Sequence, residues 1–181
     1  MRIAFWLPLW AGLVAGNLNA TAIRFQVINL GSNSFSYNYS ITGITFQQNE
    51  ELDIRFDPAL YGILSNPVAG PGFQLTLLQP NNPPGTFGDY DALAMINNPS
   101  LAGPFGLNFT FLGAGQPGSQ PFLINQFDQT GHFISTVEAG FTSSIPEPAS
   151  LSLAGIGLII GGVLFAIRRT FGDPIHPAAT P

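Results

Sequence analysis

Phe35-Ser36-Tyr37-Asn38-Tyr39-Ser40-Ile41 is the stretch that decides the fold. Apolar and polar side chains alternate along it, and a period of two puts Phe35, Tyr37, Tyr39 and Ile41 on one face of an extended chain. The same alternation returns in Leu52, Ile54 and Phe56, set against Asp53, Arg55 and Asp57. It returns again in Phe73, Leu75 and Leu77, and in Leu107, Phe109 and Phe111. One wet face and one buried face is the mark of antiparallel sheets. The pattern predicts strands at about 23–30, 34–41, 44–48, 51–57, 73–79, 90–96, 107–112, 121–127 and 132–138. Proline-rich stretches such as Asn66–Gly72, Gln79–Gly88 and Asn97–Gly106 separate them as loops. Many short strands joined by Gly/Pro turns predict an all-β chain, an antiparallel β-sandwich.

The composition narrows the function classes. The chain has 181 residues, 45% of them apolar and 8% charged, with a net charge of −5 and no cysteine. Its cations are Arg2, Arg24, Arg55, Arg168 and Arg169, with no lysine, which excludes a nucleic-acid binder that works by neutralising phosphates. Zinc fingers, thiol catalysis and a disulfide framework go with the absent cysteines. Low charge combined with high apolarity is also the reverse of a disordered composition.

The two ends read differently from the middle. Residues 1–22 have the order of a secretory signal peptide: Arg2 near the amine, apolar Ile3 to Gly16, then small-x-small at Ala20-Thr21-Ala22. Cleavage by signal peptidase is expected after Ala22, with Ala20 the second choice. An uncleaved anchor is the competing reading, but spanning takes roughly 20 apolar residues and this run is shorter and holds Pro8. Both tryptophans, Trp6 and Trp10, would leave with the signal. Near the other end, Ala149 to Ile167 is uncharged, and at 1.5 Å per residue its nineteen residues reach about 28 Å, enough for one transmembrane helix. Arg168 and Arg169 follow at once, which orients that end toward the cytoplasm. A buried core helix would show a polar face, and Ser152 is the one polar side chain inside the run after Ser150. Residues 170–181, rich in proline and alanine, read as a disordered tail.

The residues around that run carry a resemblance. Pro146-Glu147-Pro148, then the apolar run 149–167, then Arg168-Arg169, resembles the PEP-CTERM sorting signal of surface proteins processed by exosortase in Gram-negative, exopolysaccharide-making bacteria. The resemblance covers the segment 143–169 and says nothing about the rest of the fold. It implies export, a single-pass stage in the inner membrane with the N-terminal side periplasmic, and then release to the cell surface or medium. It implies exosortase as a partner, with Pro146, Glu147, Pro148, Arg168 and Arg169 as the recognised residues. The local chemistry fits: each proline removes a backbone donor and disfavours helix in the residue before it, so the segment stays extended, as a peptidase substrate must. The tail departs from the family's usual form in having two arginines followed by twelve more residues.

The exported domain is then 23–142. Without disulfides its stability has to come from burial, and its thirteen phenylalanines predict an aromatic interior. Phe127 to Phe133 reads as a tight hairpin with Gly131 supplying positive φ. Asp57-Pro58-Ala59-Leu60-Tyr61-Gly62 reads as one helical turn capped by Asp57. Asn66-Pro67-Val68-Ala69-Gly70-Pro71 and Asn98-Pro99-Ser100-Leu101-Ala102-Gly103-Pro104 echo each other as two similar loop-to-strand corners.

A search for chemistry returns little. His132 is the domain's single histidine and sits beside the hairpin turn, with no nucleophile-elbow signature to support it. Paired acids occur at Glu50, Glu51, Asp53 and Asp57 and at Asp89 and Asp91, but nothing in the sequence places them across a cleft; Glu50 to Asp57 read as a solvated strand edge, and no dense calcium loop is present. The domain holds 11 Asn and 9 Gln against 10 charged residues, and neutral amides both donate to and accept from sugar hydroxyls. Stacking platforms for a sugar would come from Tyr37, Tyr39, Tyr61, Tyr90, Phe87 or Phe105. The expectation is a non-enzymatic structural or adhesive surface protein associated with exopolysaccharide, with no catalytic residue, metal or cofactor. The alternative is a carbohydrate- or calcium-binding module held permanently in the membrane by the single span.

Overall fold

The computed structural model describes residues 20–145. Residues 1–19 of the expected signal peptide, the whole of 146–181, and therefore the span 149–167 lie outside the described residues. Ten strands run in the order β1 (Ala22–Gly31), β2 (Ser34–Thr42), β3 (Glu50–Phe56), β4 (Tyr61–Val68), β5 (Phe73–Leu78), β6 (Gly88–Ala94), β7 (Phe105–Phe111), β8 (Pro121–Phe127), β9 (Phe133–Phe141) and β10 (Ser143–Ser144). They form two five-stranded sheets, ordered β10-β1-β2-β7-β4 and β5-β6-β3-β8-β9. All pairings are antiparallel except β1 with β10. Among the described residues no helix is long and apolar enough to cross a membrane.

The period-two pattern does what its physics requires. Phe35, Tyr37, Tyr39 and Ile41 of β2 face inward, as do Leu52, Ile54 and Phe56 of β3, and all are buried. The two inner faces meet through aromatic rings: Tyr37 lies 6.4 Å from Phe56, and Tyr39 6.3 Å from Tyr90, between ring centroids. Phe25, Phe46, Phe105, Phe109, Phe111 and Phe122 fill the rest of one continuous core. Edge-to-face and offset contacts predominate, with Tyr37 stacked on Phe109 at 4.5 Å.

Inside this aromatic core sits one polar knot. Gln120, 1% exposed, donates its amide to the hydroxyls of Tyr37 (2.5 Å) and Tyr61 (3.0 Å) and to the carbonyl of Gly118. Its carbonyl oxygen accepts from Tyr39 (3.1 Å) and from the Thr142 hydroxyl (3.0 Å), while the Gln120 N–H donates back to that hydroxyl (2.9 Å). Burial pushes the phenols of Tyr37 and Tyr39 well up from their ordinary range, so both remain protonated donors.

Two local readings need correction, the strand at 44–48 and the absence of one at 61–68. Residues 44–48 form no strand: Phe46 is a buried peg, and its carbonyl accepts from Asn98 in a loop rather than from a ladder partner. The single helical turn expected at 57–62 is present, with Leu60 and Tyr61 donating to the Asp57 carbonyl and the Asp57 side chain capping Ala59, but it opens straight into β4, a strand the sequence pattern does not predict. That strand was hidden by Gly62 and Pro67. β4 is an edge strand with register breaks between Tyr61 and Leu64 and between Ser65 and Val68, and an edge with such breaks tolerates a proline.

The two echoed corners pack on each other. Asn66 and Asn98, each before a proline, adopt φ of 50° and 51°. A Cβ on Gly103 would come within 2.5 Å of the Gly70 Cα, and one on Gly70 within 2.8 Å of the Ser100 carbonyl oxygen, so both positions need glycine for this contact.

Gln120→Ala should destabilise the domain by about 2–4 kcal/mol, because the Tyr39 and Thr142 hydroxyls lose a buried partner and a cavity opens. All four tyrosines lie in the core, so urea denaturation followed by tyrosine near-ultraviolet circular dichroism reports the change directly.

Candidate functional site

The carboxy-terminal edge of the fold is built by the chain crossing between sheets. β9 ends at Phe141 in one sheet, Thr142 is buried on Gln120, and β10 then pairs with β1 in the other sheet. Ser143 lies opposite Arg24 and Ser144 opposite Phe25, and the N–H of Ile145 donates to the Phe25 carbonyl at 2.9 Å. The next residue is Pro146. Hence the expected recognition residues Pro146, Glu147 and Pro148 follow the last strand with one residue between, while they, Arg168 and Arg169 lie outside the described residues.

The expected cleavage positions lie at the other border. Ala20 is exposed, and Ala22 is already the first residue of β1, opposite Thr42. Between them Thr21 donates its hydroxyl to the Glu138 carboxylate of β9. A cut after Ala20 preserves these contacts; a cut after Ala22 removes them.

The outer face of the β3–β6 pair gathers acids. Asp53 lies directly opposite Asp91 and Arg55 opposite Asp89, with Glu51 two residues along β3 from Asp53. Asp53 is 5% exposed and accepts from Arg55 Nε at 3.1 Å through one oxygen, while its other oxygen and one of Asp89 are buried without a partner. Desolvation raises each carboxyl first, and its neighbours' charges add to this: Asp91 is pushed up to about 8, Glu51 to about 7 and Asp89 to about 6. Asp53 is also raised by burial, with Arg55 opposing the rise. These acids are thus partly desolvated, and Glu51 and Asp53 correct the expectation of a solvated edge along 50–57. Among the described residues no three acidic or histidine side chains converge closely enough to hold a metal ion.

His132 lies in the β8–β9 turn, where Asp128 accepts from Thr130 and from the His132 N–H, and Gly131 has a φ of 83°. Its Nδ1 is 2.7 Å from the Thr130 hydroxyl and 3.5 Å from Asp128. The three polar residues close their own exposed turn.

The tyrosines expected as stacking platforms are elsewhere. Tyr37, Tyr39, Tyr61 and Tyr90 are all buried, and so is Phe105. Phe87, 44% exposed, is the one member of that set left at the surface. It borders an open groove of about 430 Å³ beside the 79–88 loop, lined also by Leu77, Leu78, Gln79, Asn82, Pro83, Thr86 and Asp89. Gln79 is tied to both the N–H and the carbonyl of Leu64, which fixes the loop to β4 and leaves Asn82 and Asp89 as the groove's adaptable polar groups. Asparagine at 81, with φ of 62° and its side chain accepting from Gly85, shapes the loop from within.

The fold and its border define the class: a two-sheet all-β domain joined without a linker to a carboxy-terminal processing segment. Residues 144–169 match the PEP-CTERM protein-sorting motif, so the chain carries that motif, and its first residue is the last residue of β10. The motif supports sorting to the cell surface through exosortase. No curated protein matches the chain.

The raised carboxyls set a pH dependence. The folded domain binds protons that the unfolded chain, with carboxyls near 4, would release, so this stability is fully present below about pH 4 and is lost as pH rises through 6 to 8. The thermal midpoint should therefore fall between pH 5 and pH 8.5. Asp91→Asn should flatten that fall and raise the midpoint at pH 8.5, as read by scanning calorimetry.

Proposed function

We propose that this is a non-enzymatic, exported surface protein that exosortase releases from a transient anchor in the inner membrane. In this reading 149–167 spans the membrane, the β-domain faces the periplasm, and Arg168 and Arg169 hold the cytoplasmic side. The observation that carries the proposal is the sorting motif at 144–169, which begins at the last residue of β10. A non-enzymatic role is supported by His132 lying exposed in its own turn and by the acids lying on the outer face of one sheet rather than across a cleft.

The role after release is structural or adhesive, in contact with exopolysaccharide. The outer face of the other sheet favours such a matrix. Ser36, Asn38 and Ser40 of β2 lie beside Ile28, Gln26 and Arg24 of β1 and Asn108 of β7, a face mostly of hydroxyls and amides with one cation, Arg24. The groove at Phe87 adds an exposed ring with Asn82 and Asp89 beside it, the aromatic-plus-polar combination that holds a sugar ring. The alternative, a carbohydrate-binding module that keeps its span, uses the same groove and differs in its processing.

Two tests separate these. With a carboxy-terminal epitope, Glu147→Ala or the pair Pro146→Ala and Pro148→Ala should leave epitope and domain together in the membrane fraction, whereas the unaltered chain should part from its epitope. A permanent anchor predicts identical fractionation for all three. Phe87→Ala, at an exposed position, should leave the fold intact and lower retention on the host's exopolysaccharide several-fold in affinity electrophoresis. Unchanged retention would remove the groove from the account.

A further inference from the structure

The outer edges of the two sheets are unequally protected. β10 offers two residues, and β4 carries Pro67 and two register breaks. β9 exposes Phe133, Ile134, Val137 and Phe141, yet its pairing with β8 breaks register twice and Glu138 sits within it. Short length, proline, bulges and charge are the devices by which natural sheets keep a free edge from pairing with another chain. β5 has none of them. Its six residues pair with β6 in unbroken register, none is proline, and no charged residue occurs from Pro58 to Gly88.

The hydrogen-bond phase of β5 is set at its start. Met95 donates to the Gly72 carbonyl at 2.8 Å, so Gly72 and Met95 form a bonded pair. By antiparallel alternation Gln74, Thr76 and Leu78 also turn their backbone groups toward β6, and Phe73, Leu75 and Leu77 turn theirs away. The Phe73 N–H agrees with this phase, since it donates to the Gly70 carbonyl at 3.3 Å, off the ladder. Among the described residues the Phe73 carbonyl and both backbone groups of Leu75 and Leu77 meet no backbone partner. The side chains of these three residues face the core and stay only partly buried, whereas Tyr61 and Leu64 on the edge strand β4 are buried.

We propose that β5 is a pairing edge for β5 of a second copy of this chain, antiparallel about a two-fold axis at Leu75. This register sets Leu75 opposite the partner's Leu75, Phe73 opposite the partner's Leu77, and Gln74 opposite the partner's Thr76. Apolar side chains then meet on the core side, and an amide meets a hydroxyl on the outer side. The backbone fits as well, because the bonded pairs of this register are formed by 73, 75 and 77, the residues whose groups point outward. A charged strand would find no complement on this edge, whereas a second copy brings the same neutral surface. The nearest acids, Asp89 and Asp91, lie one strand back on β6. In the paired state they face the partner's acids across three strand spacings, about 14 Å, beyond the ~8 Å screening length at physiological salt.

The chain has no cysteine, so a disulfide between copies is direct to read. Two full chains with different epitopes are co-expressed, one with Gln74→Cys and the other with Thr76→Cys, and are oxidised with copper-phenanthroline. Across the proposed axis these positions form a non-bonded pair with Cα atoms about 4.5 Å apart, within disulfide reach. Position 74 is about 7–8 Å from the partner's 74, and 76 likewise from the partner's 76, beyond easy reach. The expected result is a linked product carrying both epitopes, several-fold above that from either variant expressed alone, and none from Ser135→Cys on the exposed edge β9. Leu75→Pro in both copies removes an outward N–H that an edge strand does not need, and should abolish the link while the tyrosine near-ultraviolet circular dichroism is unchanged. The proposal is overturned if the mixed pair links no more than either variant alone. It is overturned equally if Ser135→Cys links instead, or if the link survives Leu75→Pro with the tyrosine signal intact. Should Leu75→Pro lose that signal, the disulfide comparison decides the matter by itself.

Discussion

The amide of Gln120 is the constraint on which the rest of this domain depends. A core built mostly from phenylalanine and tyrosine has to place its phenol groups somewhere, and an unpartnered buried hydroxyl costs on the order of 1–3 kcal/mol. Three of the four tyrosine hydroxyls converge on this one side chain, from β2 and from the start of β4. The fourth, that of Tyr90, donates to the Val68 carbonyl at 2.5 Å. The same glutamine takes hold of Thr142, the residue at which the chain changes sheets. A polar knot that closes the core therefore also fixes where β10 begins, and with it the point at which the sorting motif leaves the fold.

The two outer faces follow from the same strands but meet solvent differently. Along β2 the outward residues are serine, asparagine and threonine, neutral groups that cost little beside one another. Along β3 and β6 they are acids, with Asp53 placed directly opposite Asp91. Like charges in that position repel, and burial beside Leu93 and Leu123, both half-buried, prevents water from screening them. Arg55 answers one carboxylate and leaves the others, so protons take the place of counterions. One face is thus indifferent to pH while the other is tuned to it.

How much of this was legible in the sequence depended on the range of the interactions involved. Strands with unbroken alternation, such as 35–41, 51–56 and 73–78, were readable because a period of two reports burial one residue at a time. β4 was not, because its two register breaks displace the period and its proline reads as a loop. The stretch 44–48 shows the opposite failure: alternation is present, but Phe46 serves as a peg without a ladder partner. The tyrosines carried a usable signal that a search for stacking platforms overrode. Tyr37 and Tyr39 share parity with Phe35 and Ile41, and parity assigns them to the core. The groove at Phe87 had no sequence signature, since Gln79 ties its loop to β4 through a contact between separate strands.

The sorting motif stands apart because its pattern is a linear string, legible in the sequence without any knowledge of the domain's tertiary structure. That independence explains why it was the most legible feature of a chain whose β-domain gave no match to any curated protein. Its placement is a different matter. The motif starts at Ser144, within the last strand, so the sequence leaves no linker between the β-domain and the sorting signal. Among the described residues, the two residues of β10 and one backbone bond from Ile145 join the junction to β1. An attachment so short can open at small cost without disturbing the Gln120 knot behind it, because Thr142 remains bonded when Ser143 and Ser144 are released. The fold thereby keeps its core separate from the segment that has to be handled, with Thr142 as the boundary between them.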